Sequence, residues 1–282
     1  MSSESDLQTS TKSNISVLVS VYRQNTSVEF NRCFESIKQQ TLPADQVVLV
    51  VDGPVADEIE DLIVWWNSRL PLTIVRLQTN RGLAYALNAG LSACRNDYVA
   101  RIDIDDYCFN ERFAMQQRFL DLNIDVIVLG GQAKLFGETG PCGERVLPTS
   151  LASIRRFSLF RNPLSHSTVV FRRQPVQAIG GYPEARYGQD YLLWIACLSR
   201  GYQVRNLNQF VCGLYAGSDM LRRRSLVNLR YDLKPHLANY RYRRAGVLLT
   251  VLAVSLRTCY SLYCSVVSLV RFFPKRLRVH SK

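Results

Sequence analysis

Three carboxylates stand within four positions at Asp103-Ile104-Asp105-Asp106, directly after the short apolar run 98–102. Crowding like charges at a strand end is unfavourable unless something neutralises them. Hard divalent cations such as Mg²⁺ and Mn²⁺ take oxygen ligands and bridge to substrate phosphates, so a D-x-D here suggests a metal–diphosphate site. The same residues also read as an acidic turn capping a helix that starts near Asn110, because Asp favours helix starts. One further acid stands out: Asp52, which closes an apolar run before Gly53-Pro54.

The surrounding elements decide whether these acids can meet. Apolar, β-branched runs at 15–21, 46–51, 72–77 and 98–102 read as buried strands. Helical spacing fills 28–40, 55–68, 81–94 and 110–122 between and after them. This alternation predicts an α/β fold: a doubly wound, mainly parallel sheet with helices on both faces. Ligands of such sheets bind beyond the carboxyl ends of the strands, where Asp52 and Asp103 both fall. Downstream the pattern changes. An apolar run at 126–136 is broken at Gly130-Gly131; 151–160 and 189–199 read as helices, 168–171 as a strand, and 203–215 as one or two strands.

The 282 residues, 47% hydrophobic and 21% charged, are enough for one large α/β domain. Residues 1–13 read as a disordered, Ser/Thr-rich start without the apolar stretch of a secretory signal. The eight cysteines form no C-x-x-C and no zinc spacing with His, which predicts reduced thiols in a cytoplasmic compartment. The net charge of +12 is uneven: 222–282 holds fourteen Lys/Arg against one acid, Asp232, leaving the rest at −1. A basic tail suits nucleic acid or an anionic membrane, and the apolar content of this one favours the membrane over nucleic acid.

Four blocks in order carry a resemblance to a known family. They are ISVLVSVY (15–22), QTLPADQVVLVVDGP (40–54), NRGLAYALNAGL (80–91) with YVARIDIDD (98–106), and NPLSHSTVVFRR (162–173) with GGYPEARYGQDYLLW (180–194). Together they resemble the family 2 glycosyltransferases, in particular non-processive bacterial enzymes of exopolysaccharide and O-antigen synthesis such as the amylovoran type. The Q-x-x-R-W box of the processive synthases is missing. The resemblance implies a GT-A fold over 14–224, with a nucleotide-binding half (14–107) and an acceptor half (108–224). It implies inverting transfer of a hexose from a nucleotide-diphosphate donor, with UDP as the common choice, to a lipid-linked saccharide acceptor.

The resemblance also implies roles for single residues. Asp52 matches the acid that binds the nucleotide base; its alternative is a turn residue. Tyr22 matches a nucleotide-pocket position, or is plain packing. Arg81 matches a diphosphate contact, or a solvated helix-start Arg. Asp103 and Asp105 match the D-x-D that holds Mn²⁺ or Mg²⁺, with Asp105 the direct ligand. Asp106 orients the sugar or caps the next helix. Asp190 matches the catalytic base, which takes the acceptor hydroxyl proton, although Gln189 stands where the family often has Glu. His166 matches a polar acceptor-side position, or is a satisfied, partly buried His. Arg222, Arg223 and Arg224 form either a loop that closes over the diphosphate or the start of the basic tail.

The tail, 225–282, combines apolar runs at 245–256 and 258–270 with basic flanks. Together they reach the ~20 residues of a membrane span. Arg257 interrupts them at a cost of about 2.5–3.5 kcal/mol, and basic residues on both sides oppose a single crossing. One or two in-plane or re-entrant segments on the cytoplasmic face of the bacterial inner membrane are expected, with a soluble helical hairpin as the alternative. Two other functions compete. A sugar nucleotidyltransferase would want a Gly-rich loop after the first strand, where SVYRQNTS has none. A non-catalytic, membrane-bound assembly protein would have no use for both the D-x-D and Asp190.

Overall fold

Val17, Val19 and Val21 face one way along the first strand and Leu18 the other, and all four are buried. A strand covered on both sides is apolar at most positions, which is why its sequence runs without strict alternation, and the buried Ser16 is satisfied by Gln46. The computed structural model describes residues 13–217 and 226–272. The expectation for the first twelve residues lies outside that range.

Strands β1 (Ile15–Val21), β2 (Gln46–Asp52), β3 (Leu72–Leu77) and β4 (Tyr98–Arg101) pair in parallel in the order β3-β2-β1-β4. Helices α1 (Ser27–Lys38), α2 (Asp57–Asn67) and α4 (Arg112–Leu122) cover one face, and α3 (Leu83–Ala93) the other. A capping box between Thr26 and Glu29 starts α1.

Beyond β4 the sheet becomes mixed. It continues through β8 (Val170–Arg172), β6 (Val126–Gly137), β9 (Gln203–Tyr215) and the short β5 (Tyr107–Cys108), with β7 (Gly140–Arg145) paired to β6. Strand β8 is antiparallel to both β4 and β6, while β6 and β9 run parallel. The expected break at Gly130-Gly131 is not there: β6 is continuous, and the glycines mark register shifts against β9. A Cβ on Gly130 would lie 2.1 Å from Asn206 Oδ1, and one on Gly131 2.7 Å from Val211, so these glycines admit close contacts rather than end a strand.

Helices α5 (Leu151–Phe157), α6 (Arg173–Ala178) and α7 (Gln189–Ser199) complete the body. Helix α8 (Leu229–Arg241) is anchored there: Asn239 Nδ2 donates to Ser158 O (2.8 Å), and the buried ring of His236 lies 3.2 Å from Leu159 O. Helix α9 (Val247–Phe272) then packs on α8. Arg257 does not interrupt α9. It pairs with Asp232 of α8, so its charge is neutralised inside the hairpin. The tail therefore forms a helical hairpin packed on the body.

Candidate active site

The parallel strands β1, β2 and β4 end on one edge, which gathers Tyr22, Asp52 and Asp103. Asp52 is buried and uses both carboxylate oxygens. Oδ1 accepts from the amide of Arg81 (2.7 Å) and Oδ2 from that of Gly82 (3.0 Å), just ahead of α3. Asn80 Nδ2 adds a bond to Asp52 O (3.1 Å). A Cβ on Gly53 would sit 2.6 Å from Asn80 N, and its φ of 81° is left-handed, so glycine is required where these turns meet. Arg81 lies with its guanidinium 4.2 Å over the Tyr85 ring. Tyr22 is half-exposed, and its hydroxyl donates to Gln24 (3.0 Å).

The D-x-D turn is held from beneath. Arg101 is fully buried and pairs with Asp103 Oδ1, and it also reaches Leu18 O (3.4 Å). Ser167 Oγ donates to Asp103 Oδ2 (2.8 Å) and accepts from the Asp103 amide (2.9 Å). Burial opposes ionisation of Asp103, but Arg101, His166 and Ser167 outweigh it and hold its carboxyl below the ordinary range. Arg32 Nη2 donates to Asp105 O (2.5 Å), fixing the middle of the turn from α1. Ile104 points into the core, and Asp105 is half-buried.

Asp106 does not cap α4, whose first turn has no side-chain cap. Its Oδ1 instead accepts from the amide of Tyr215 at the end of β9 (2.7 Å). Burial, Asp105 and Asp103 push the Asp106 carboxyl well above its ordinary value.

Asp190 does not cap α7 either. Gly188, left-handed at φ 74°, is the cap residue, and Asp190 lies in the first turn, where Oδ2 accepts from Asn162 Nδ2 (2.7 Å). Asn162, His166 and Ser167 belong to one turn, 162–168, whose far end reaches Asp103. His166 Nε2 is 3.1 Å from the Tyr182 hydroxyl, and Nδ1 is 3.9 Å from Asp103 Oδ2. Burial and Arg101 push His166 down to about 4, against opposing pulls from Asp103 and Asp190. His166 is therefore neutral near pH 7, and its approach to Asp103 is not an ion pair.

No group of three or more His, Cys, Asp or Glu side chains among the described residues could hold a metal unaided. A Mg²⁺-type ion takes one or two carboxylates and completes its shell with phosphate and water. Asp105 and Asp103 are the carboxylates such an ion would draw on here, with both oxygens of Asp103 already engaged by Arg101 and Ser167.

The sequence profile of Glycosyl transferase family 2 matches residues 16–179. The chain belongs to glycosyltransferase family 2. This glycosyltransferase is 41% identical over 209 residues to amylovoran biosynthesis glycosyltransferase AmsE of Erwinia amylovora, covering 74% of this chain and 79% of that protein. It is 29% identical over 235 residues to the Escherichia coli UDP-Gal:alpha-D-GlcNAc-diphosphoundecaprenol beta-1,3-galactosyltransferase, covering 83% and 84%. Its fold matches that of mannosyltransferase PcManGT from Pyrobaculum calidifontis, solved with GDP-Man and Mn²⁺. That match has a TM-score of 0.65 at 18% identity, over 92% of this chain and 74% of the other. The fold is GT-A.

Among the residues expected from sequence, Asp103 and Asp106 share the D-x-D turn with Asp105, and His166 touches that turn directly. Asp190 is joined to the turn through 162–168. Arg222 and Arg224 lie outside the described residues. The glycosyltransferase adds four residues that the sequence reading gave no role: Arg101, Asn162, Ser167 and Tyr182. The signal for Asn162 and Ser167 was their place in NPLSHST beside His166. Arg101 had a weaker one, a charge inside an otherwise apolar strand.

Proposed function

We propose that this glycosyltransferase transfers a hexose with inversion from a UDP-sugar to a lipid-linked saccharide acceptor in bacterial surface polysaccharide synthesis. The observation that carries the reading is the turn 162–168, which links Asp190 at one end to Asp103 at the other. Base and donor acids thus share one rigid support. The names of the amylovoran and galactosyltransferase relatives support the polysaccharide pathway and the diphosphoundecaprenol-type acceptor.

Asp52, Tyr22 and Arg81 are assigned to the nucleotide side. Asp105, with Asp103 behind it, is assigned to Mn²⁺ or Mg²⁺; a cation there supplies charge neutralisation to the departing diphosphate. Asp190 takes the proton from the acceptor hydroxyl as that oxygen bonds to the anomeric carbon. The bond from that carbon to the diphosphate oxygen breaks on the opposite face, giving inversion. Asn162 occupies Asp190 Oδ2, leaving Oδ1 to receive the proton. Asp106 is assigned to holding β9 at the site through Tyr215.

The acceptor's lipid places the reaction at a membrane, on the cytoplasmic face where nucleotide sugars are found. Helix α9 is long and apolar enough to cross a bilayer. Its inner side is tied to α8, and α8 to the body, so an in-plane seat is the arrangement that keeps those contacts.

Family membership favours the transferase over a nucleotidyltransferase. The test is calorimetry with UDP, with and without Mn²⁺, on the wild type, Asp105→Ala and Asp190→Asn. Metal-dependent UDP binding is expected in the wild type and in Asp190→Asn but not in Asp105→Ala. Transfer is expected only in the wild type. Transfer retained by Asp190→Asn would sink the base assignment. Absence of nucleotide binding by the folded wild type would return the assembly-protein reading.

A further inference from the structure

Helix α9 has its apolar side turned outward. Its inner face carries Thr250, Ala253, Ser261 and Cys264, all buried, together with Arg257 paired to Asp232. Its outer face carries Leu248, Val251, Leu252, Leu256, Tyr263 and Val266, all exposed, with Leu248 at 87%. An apolar stripe of this kind on a fixed helix needs an apolar partner.

The corner leading into α9 supplies a second observation. Tyr240, Arg241, Arg243, Arg244, Ala245 and Gly246 line a cleft of about 450 Å³, with no acid among these described residues. Arg244 is fixed in place, donating to Asn239 Oδ1 (2.6 Å) and Ser158 Oγ (2.9 Å). Helix α8 closes in a Schellman motif: the Arg243 amide donates to Tyr240 O and the Arg244 amide to Asn239 O, both at 2.8 Å. The left-handed position of that motif, φ 55°, belongs to Arg243, the one non-glycine residue with positive φ among those described. Glycine is the favoured residue there, and a side chain in that conformation is strained. The chain thus places a guanidinium where backbone preference alone would select glycine. Exposed Tyr240 and Tyr242 flank it, and the apolar stripe begins at the next residues, Val247 and Leu248.

We infer that the α8–α9 corner is a phosphate clasp for anionic phospholipid headgroups, seating the enzyme with the outer face of α9 in the acyl boundary. This rests on the membrane reading above and adds the residues that select the headgroup. Three arginines in a shallow cleft with no acid among its described residues complement phosphate charge, exposed tyrosines suit the bilayer interface, and the stripe suits the layer beneath.

The test is co-sedimentation of the full-length protein with phosphatidylcholine vesicles and with an equal mixture of phosphatidylcholine and phosphatidylglycerol. The wild type is expected to prefer the anionic vesicles. Arg243→Gly relieves the left-handed strain, so its thermal midpoint should be unchanged or higher. Its partition onto anionic vesicles should nevertheless fall by about fivefold, and so should that of Arg241→Ala. A purely structural role for Arg243 would not separate stability from binding in this way. Wild-type binding by Arg243→Gly overturns the clasp. Competition by inorganic phosphate at constant ionic strength would make it a free-phosphate site and overturn the headgroup assignment. Leu248→Glu with Leu252→Glu should abolish sedimentation with either vesicle; unchanged binding would overturn the membrane reading itself. A vesicle-free dimer that dissociates in that double variant would assign the stripe to a second copy and overturn both.

Discussion

The side-chain amide of Asn162 donates to Asp190 across 2.7 Å. Five positions further along the same turn, Ser167 holds Asp103 through two hydrogen bonds. The proposed base and the first D-x-D acid are therefore tied to one segment. Positions read separately from sequence become one constellation through residues that do no chemistry themselves.

Removing the Asn162 amide should slow transfer without loosening the donor. A hydrogen bond to a charged group contributes about 1.5–3 kcal/mol, so Asn162→Ala should lose about 10- to 100-fold in kcat. The UDP dissociation constant from calorimetry should stay at the wild-type value, because Asp190 is assigned to the acceptor side. Asn162→Gln is the control for geometry, since it keeps the amide but lengthens its reach.

Arg101 is a fully buried cation whose anionic partner is Asp103. Arg101→Met should destabilise the fold by about 3 kcal/mol by removing one member of a largely buried pair. Chemical denaturation measures this. Metal-dependent UDP binding should weaken in parallel, because Asp103 loses the group that orients it. Arg101→Lys keeps the charge but not the two-pronged reach to Leu18 O and Asp103, so it should restore only part of the binding.

His166 should make the protein less stable in mild acid. Its folded value of about 4 lies below the ordinary 6.5, so between those values the unfolded chain holds the extra proton. Stability should therefore fall as pH drops from about 6.5 towards 4, by up to about 3 kcal/mol from this group alone. Urea titrations of the wild type and His166→Asn across that window should show a shallower slope in the variant.

Asp106 should tolerate loss of its charge. Burial and two acidic neighbours raise its carboxyl well above the ordinary value, so the folded state favours the protonated form. Such a group costs stability as pH rises above the unfolded value near 3.9. Asp106→Asn keeps an oxygen for the Tyr215 amide, and thermal melts should show it at least as stable as the wild type at neutral pH. Asp106→Leu, which removes that acceptor, should lose about 1–3 kcal/mol.

The elements that bury both faces were legible in the chain. ISVLVSV and QVVLVV read as strands because nearly every side chain there packs into one of the two core layers, and a mostly apolar composition records that environment locally. The family blocks pointed to the D-x-D, Asp52 and Asp190, which lie at strand and helix ends that local pattern can locate.

Other features depend on residues far apart in sequence. Asn162 and Asp190 are 28 positions apart, and Ser167 and Asp103 are 64 apart. Arg257 looked like a break because its neutralising acid, Asp232, comes from another helix. Gly130-Gly131 looked like a break because the side chains that press on them come from β9. The mixed half of the sheet was hidden for the same reason: strand direction is set by partners, and a short strand such as Val170–Arg172 has the same pattern either way. Local hydrophobic pattern determined which segments are strands and helices. Long-range hydrogen bonds and ion pairs, which leave no periodic trace, decided what each charged residue does.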